Sequence, residues 1–413
     1  MRGLYPPVQE ITAVRKERVI MCRIRKIGLP IVLLAFCLAA CGQDEKDVPQ
    51  DSGVAETPVI DAGEGETGEQ KERQAEPAEG EKVPVEADVM FPQTYKKEFD
   101  HLVFDAEVVC PETASKGKVA LPEIEVQELD EDKVLKYFFK DTEVSDRIEN
   151  NTQGEDGSYS RYIHYAGDGL NLGYQKEGVS FTTDFYWHVD NAFDLEDNPD
   201  QYRKEGQLDF LDLDTARKRV EEEIAALGID LGEGLLGGSY ALDYQTMEKE
   251  EEVLDMDGNP DLPEYKASWT KEDDCYYFYG WQTYAGIKVH YPGVEYINKM
   301  ADFNAPVQAA YSKRGIEYLG LGKTFLFGQA GAQKELLPFE EIVRIVTDKY
   351  GMLLTDTVDT VKRMELCYYP QKKENGKYEM TCIWTVTFAR RDEDSGEHQM
   401  GIDAFTGEEI YQP

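Results

Sequence analysis

The spacing of apolar residues predicts amphipathic helices in two distant parts of the chain. The first helix carries an apolar residue every three or four positions and ends before Gly228. Its predicted buried face consists of Ala216, Val220, Ile224 and Leu227. We expect Asp214 or Thr215 to cap its N-terminus. The second helix opens at Pro338, and its predicted buried face consists of Phe339, Ile342, Val343, Val346 and Tyr350.

Alternating apolar and polar positions follow each helix and predict strands. After the first helix, one strand face consists of Tyr240, Leu242 and Tyr244; after the second, it consists of Met364, Leu366 and Tyr368. Aromatic-rich runs come next, beginning at Cys275 and Glu379. Helix and then strands, twice over, predicts an α+β fold: antiparallel sheets, each covered by a helix, in two related helix-plus-sheet modules.

Upstream of these modules the pattern predicts a β-rich segment that begins at Phe91. Hairpin turns are expected at Gly167-Asp168-Gly169 and at Glu177-Gly178, with strands continuing through Val189. A short helix capped by Asp130 is also expected. We therefore divide the folded part into a β-rich subdomain at 91–205, an α+β module at 206–330 and a second module at 331–413.

The first forty residues have the pattern of a secretory signal peptide, and Met21 offers an alternative start. Basic residues precede a twelve-residue apolar run, Leu29–Ala40. About 20 residues are needed to cross a bilayer as a helix, so this run is too short to span. Its length and its small residues before Cys41 fit a signal peptide at 1–40. The alternative is a short signal anchor that stays uncut.

Leu38-Ala39-Ala40-Cys41 resembles the lipobox of bacterial lipoproteins. The resemblance implies cleavage between Ala40 and Cys41, with a diacylglycerol on the Cys41 thiol. Two or more acyl chains give stable membrane anchoring. The expected location is therefore the extracytoplasmic face of the cell membrane, with the membrane itself as a partner through the lipid.

Residues 41–90, which begin at this cysteine and continue C-terminal to it, have the charge and composition of an acidic tether. From Gly42 to Met90 there are 15 acidic and 4 basic residues and no aromatic residue, so we expect disorder. Behind Cys41 the chain holds 37 Lys and Arg against 80 Asp and Glu. Such a balance argues against nucleic acid or bare anionic lipid as a partner, because like charges repel.

Two short motifs resemble known exported modules. The closing segment IDAFTGEEI, Ile402–Ile410, resembles the last strand of the PepSY module. The segment TYAGIKV, Thr283–Val289, after a helix and an aromatic strand, is similar to YycI-type envelope regulators. The whole chain also resembles uncharacterised lipoproteins of anaerobic Gram-positive bacteria. These resemblances imply protein–protein regulation rather than catalysis.

One acidic stretch places oxygen ligands at alternating positions, as calcium loops do. Its candidate ligands are Asp255, Asp257, Asn259 and Asp261, with Glu264 nearby. Gly258 comes two positions earlier than in an EF-hand and Pro260 interrupts the loop, so an acidic turn between strands is the alternative. We expect no other metal site and no cofactor.

Three aromatic residues, Trp187, Tyr279 and Trp281, are the candidates for stacking on wall carbohydrate, if their rings are exposed. The sequence carries no recognisable nucleophile motif, and its carboxylates are too many for a pair to stand out. The leading prediction is a non-enzymatic, lipid-anchored envelope protein that binds or regulates another protein or ligand. A carbohydrate-binding lipoprotein is the alternative, and a hydrolase with an unrecognised site comes third.

Four cysteines follow the tether: Cys110, Cys275, Cys367 and Cys382. Cys367 and Cys382 flank a predicted hairpin turn at Asn375-Gly376. A cross-strand disulfide between these two residues and buried free thiols are the two alternatives.

Overall fold

The computed structural model describes residues 90–153, 159–195, 198–251, 266, 268–290, 305–351, 358–373, 375–389 and 397–411. Within these ranges the chain forms eighteen β-strands and five α-helices. The helices are α1 Glu131–Phe138, α2 Asp184–Ala192, α3 Leu213–Ala226, α4 Tyr244–Glu250 and α5 Phe339–Gly351.

The largest sheet has ten strands, nine of which lie in one row and the tenth of which pairs with β10. In spatial order they are β4 Asp146–Gln153, β5 Tyr159–Gly167, β6 Leu170–Gln175, β7 Gly178–Thr183, β13 Gly315–Leu321, β12 Val307–Ser312, β10 Cys275–Tyr284, β9 Leu235–Leu242 and β8 Arg203–Lys204, with β11 Ile287–Lys288 beside β10.

Two smaller sheets complete the structure. The six-stranded sheet has the order β1 Thr94–Phe99, β2 Leu102–Val109, β15 Asp359–Lys372, β16 Tyr378–Ala389, β17 Glu397–Asp403 and β18 Glu409–Tyr411. The two-stranded sheet pairs β14 Phe325–Glu335 with β3 Lys118–Val126. Between these named strands the ladders are antiparallel except for β2 with β15.

The predicted α+β fold, with a helix covering each antiparallel sheet in two related modules, is wrong. The structure is mostly β, built from large multi-stranded sheets with few helices. Strands lie about 4.8 Å apart and a helix is about 10 Å across, so one helix covers only two or three strands. The sheets also combine the predicted segments, since β2 from the first segment pairs with β15 from the last, and β7 pairs with β13.

The predicted helices α1, α3 and α5 are confirmed, and the predicted apolar faces of α3 and α5 are buried. Asp130 caps α1, since its Oδ1 accepts a hydrogen bond of 2.8 Å from the Lys133 amide. The cap of α3 is Asp212, which accepts from the Thr215 amide at 2.9 Å, and not Asp214 or Thr215.

Two helices lie where strands were predicted. α2 replaces the end of a predicted hairpin because Thr183 caps it, its hydroxyl accepting from the Tyr186 amide at 3.3 Å. α4 begins at Tyr244, which was predicted to share a strand face with Tyr240 and Leu242. Only Tyr240 and Leu242 lie in the strand. An N-cap therefore outweighs aromatic strand propensity at both places.

The predicted hairpin turns are confirmed. β5 and β6 turn at 168–169, where Gly169 has a φ of +74°, and β6 and β7 turn at 176–177. β15 and β16 turn beside Gly376, whose φ is +78°. Glycine is favoured at these two positive φ values because it has no Cβ.

Three hydrophobic cores hold the sheets. One lies on the face of the ten-stranded sheet that α1 and α3 partly cover, and a second lies on its opposite face beside α2 and α4. The third lies against the six-stranded sheet and α5. The middle strands of the large sheet are therefore buried on both faces, whereas its end strands are not.

Candidate functional site

Several predicted site residues lie outside the described part of the chain. They are the cleavage and lipidation residues Ala40 and Cys41, the tether, and the calcium candidates Asp255, Asp257, Asn259, Asp261 and Glu264. Their predicted roles stay predictions.

The candidate sugar-stacking aromatics do not form an exposed platform. Tyr279 is 5% exposed and Trp281 is 7% exposed, so the expectation is wrong for these two rings. Trp187 is half-buried on α2. β10 lies in the middle of the large sheet, and consecutive side chains such as Phe278 and Tyr279 enter the two opposite cores.

Tyrosine side chains on this sheet fill the spaces above glycines that lack a Cβ. A Cβ on Gly238 would lie 2.3 Å from Tyr279 Oη, and one on Gly320 would lie 2.5 Å from Tyr318 Oη. The glycines let the phenol rings lie flat over the strands. The sequence pattern of aromatics and glycines therefore serves packing at these positions.

The four cysteines that the structure describes are free thiols, which confirms the second alternative for Cys367 and Cys382. Cys367 lies opposite Ile383, whereas Cys382 lies opposite Tyr368. Because neighbouring side chains point to opposite sheet faces, this register places the two thiols on different faces. Burial, with Glu365 nearby, raises the pKa of Cys367 to about 12, so this thiol stays protonated.

A chain of ionic groups joins the two large sheets. Lys288 on β11 pairs with Glu365 on β15, and Arg363 lies 3.3 Å from the other oxygen of that carboxylate. Lys288 Nζ also lies 4.8 Å from the centre of the Trp281 ring. Burial alone raises the pKa of Glu365, but the two cations outweigh it and lower that pKa. Arg363 also pairs with Glu107 on β2, so two carboxylates match the two cations and the cluster holds the sheets together.

A shallow cavity of about 340 Å³ lies where the described chain begins. It is lined by Met90, Phe91, Pro92, Pro338, Phe339 and Glu340. Among the described residues this lining supplies one carboxyl group, that of Glu340.

Strand β4 has the geometry of a binding site for another polypeptide. It ends the row of the ten-stranded sheet, and no strand in the described ranges pairs with its outer side. Its eight residues pair with β5 without a register shift, and all eight are exposed. Ile148, near its middle, is 49% exposed. A free, regular edge offers backbone N–H and C=O groups to an added strand.

Ion pairs connect one face of β4 to β5 and α1. Glu149 lies 2.6 Å from Arg147 and 3.0 Å from Arg161, and Arg161 lies 2.7 Å from Glu131 on α1. Tyr165 also donates a hydrogen bond to Glu131. Hydrogen bonds from Arg161 and then Arg147 lower the pKa of Glu149 to about 2. The carboxylate is therefore ionised at neutral pH, and this face of the edge is preformed.

The opposite face of β4 carries Ile148, which lies across from His164. Burial lowers the pKa of His164, although Asp146 and Asn171 act in the other direction. This imidazole is therefore mostly neutral at pH 7. The edge combines an exposed apolar side chain, flanking charges of both signs and an unpaired strand side, which are features that a bound peptide strand could use.

Sequence reasoning missed this strand because its residues are polar. Asp146–Gln153 contains one apolar side chain, Ile148, so alternation gives almost no signal. The usable signal lies next to it, where Gly154 and Gly157 separate it from the aromatic strand β5. Two glycines between two runs of similar length are typical of a hairpin.

Comparisons with known proteins support the fold alone. No protein-family model matches the chain, and no curated protein matches it. An uncharacterised protein from Eubacterium rectale has a similar crystal structure, with 18% identity and a TM-score of 0.54 over 78% of this chain and 94% of that one. The C-terminal domain of YpeB from Bacillus megaterium aligns with 10% identity and a TM-score of 0.23, over 70% of this chain and 98% of that one.

Among the described helices, none combines the length and the hydropathy that a membrane span needs.

Proposed function

We propose that this chain is a lipid-anchored protein of the extracytoplasmic membrane face whose folded body associates with a protein partner through the free edge of β4. The edge is the observation that carries the proposal, because it is long, regular and fully exposed. Natural sheets protect such edges with short strands, bulges, covering loops or charged side chains, and of these β4 has the charges of Asp146, Arg147 and Glu149. A long, regular edge is a common place for β-strand addition.

The leader supports the anchoring part of this proposal. Leu38-Ala39-Ala40-Cys41 supplies the cleavage site and the lipidated thiol of the lipoprotein class, and the acidic residues behind it form a spacer. The PepSY-like closing segment, Ile402–Ile410, is consistent with protein–protein regulation and contains no catalytic pair. The proposed role is non-enzymatic and needs no cofactor.

The anchor is tested by Cys41→Ala. We expect this variant to leave the membrane fraction or to accumulate as an uncut precursor, whereas Cys37→Ala, four residues earlier, keeps its fractionation. Unchanged membrane association of Cys41→Ala would remove the anchor from the proposal.

The binding edge is tested by a cysteine cross-link in intact cells. Ile148→Cys places a reactive thiol on β4, and Leu326→Cys on β14 is the matched control, since Ile148 and Leu326 are 49% and 45% exposed. Burial raises the pKa of Cys110 to about 12, which keeps that native thiol slow to react. A maleimide–benzophenone reagent alkylates the introduced thiol and, under light, inserts into a C–H bond of whatever lies beside it, so it should give a protein adduct with Ile148→Cys only. Equal adducts from both positions, or none, would reject β4 as the binding edge.

A further inference from the structure

We infer that the partner of the β4 edge is a second copy of this chain, paired antiparallel about a twofold axis at Ile148. The inference rests on the proposed function, whose binding edge it keeps and whose partner it names. It would join two ten-stranded sheets into one continuous sheet.

The charge pattern of the edge selects this register. In a twofold antiparallel pair one residue faces its own copy, and its neighbours face each other crosswise. With Ile148 on the axis, Arg147 faces Glu149 of the second copy, twice, and the two exposed isoleucines meet. Opposite charges and paired apolar side chains both favour cross-strand pairing.

Neighbouring registers lack this match. An axis at Arg147 brings two guanidinium groups together, and an axis at Glu149 brings two carboxylates together. With the axis at Asn150, Glu149 faces Asn151 of the second copy and has no opposite charge across from it. Like charges placed directly opposite destabilise a strand pair, so the Ile148 register is favoured over each of these.

Both charged side chains are accessible for such a contact. The side chains of Arg147 and Glu149 are 43% and 30% exposed and lie on the same face of β4. Their ion pair with each other becomes a four-membered cluster of alternating charge in the dimer. Ile148, on the other face, is the most exposed large apolar residue of the described chain at 49%.

Overall charge opposes self-association, and anchoring offsets it. Counted from Phe91, the body carries 33 basic and 65 acidic residues. Salt screens this repulsion beyond about 8 Å at physiological ionic strength, so the contacts made at the edge itself determine whether two copies pair. Tethering both copies to one membrane also raises their effective concentration. The association is expected to be weak in free solution and stronger at a membrane.

The first test is charge exchange, measured by sedimentation velocity on the full chain carrying Cys41→Ala. Arg147→Glu and Glu149→Arg should each raise the dimer dissociation constant by about tenfold or more, because each puts like charges opposite. An equimolar mixture of the two variants should recover a mixed dimer. The control pair is Arg344→Glu and Glu341→Arg on α5, an exposed ion pair of similar geometry that should leave dimerisation unchanged.

The second test is oxidation of Ile148→Cys, which should give a disulfide-linked species of twice the chain mass, while Leu326→Cys should not. A wild-type chain that stays monomeric, or variants whose mixture does not re-associate, would overturn the inference. If the photo-cross-linked adduct in cells contains a different protein, the inference of a second copy is wrong and the proposal of β4 as the binding edge remains. If Ile148→Cys gives no adduct, both proposals fall.

Discussion

Two strands of the same sheet, β10 and β4, occupy opposite environments. β10 has neighbours on both sides and a core on each face, and nine of its ten residues are buried. β4 has one neighbour among the described strands, and all of its eight residues are exposed. Position in the sheet therefore separates them: β10 contributes stability, and β4 retains free hydrogen-bonding groups. Four predictions test this contrast.

The largest difference is expected for side-chain truncation. Phe278→Ala removes a ring that is 5% exposed from a packed core and should lower the free energy of unfolding by about 3–5 kcal/mol. Ile148→Ala on β4 should change it by less than about 0.5 kcal/mol. Chemical denaturation of both variants measures the difference. Similar losses would mean that β4 is packed against something in the folded chain.

Breaking an ion pair should also cost more stability at the buried junction between the sheets than on β4. Lys288→Met removes one of the two cations that face the Glu365 carboxylate, whose side chain is 6% exposed, and leaves Arg363 as the other. The loss should cost up to about 3 kcal/mol. Arg147→Met, at the exposed pair with Glu149, should have a much smaller effect, because water and salt screen that pair. Thermal unfolding at neutral pH compares them. A cost at Lys288 as small as that at Arg147 would show that the junction between the sheets is open to water.

Adding one methyl group compares a glycine on β9 that lies close against the backbone of β10 with a glycine on β14 that has room for a side chain. A Cβ on Gly237 would lie 1.8 Å from the carbonyl oxygen of Tyr279, so Gly237→Ala should destabilise by about 1–3 kcal/mol. On β14 the nearest atom to a Cβ on Gly331 is 3.5 Å away, and Gly331→Ala should have little effect. The denaturation midpoints of the two alanine variants measure this difference, and the midpoint of Gly237→Ala should be the lower one.

The smallest effect is the pH dependence of the edge. The pKa of Glu149 is lowered to about 2 from an ordinary value near 4.5. As the pH falls, the unfolded chain therefore takes up a proton on Glu149 at a higher pH than the folded chain does. The ion pairs of Glu149 therefore add stability above pH 4.5 and lose it as the pH falls from 4.5 towards 2. Glu149→Gln should flatten that part of the stability curve slightly. An unchanged curve would mean that solvent screens these pairs completely.

The sequence predicted local elements well where they depend on neighbouring residues. α1, α3 and α5 follow from apolar spacing, and the hairpin turns follow from glycine. It failed for α2 and α4, where a capping side chain at Thr183 or Asp243 starts a helix in a run of strand-forming residues. It also placed Tyr279 and Trp281 among surface candidates, although both are buried.

By itself the sequence determined the leader pattern ending at Cys41, the acidic balance and most of the helices, because these depend on composition and on contacts within a few residues. Only the tertiary structure decided that β7 pairs with β13 and β2 with β15, since strand partners distant in sequence leave no local signal. The same pairing decided that β4 stands at an edge. A strand is an edge because of which strands are missing beside it, and no residue within it records that.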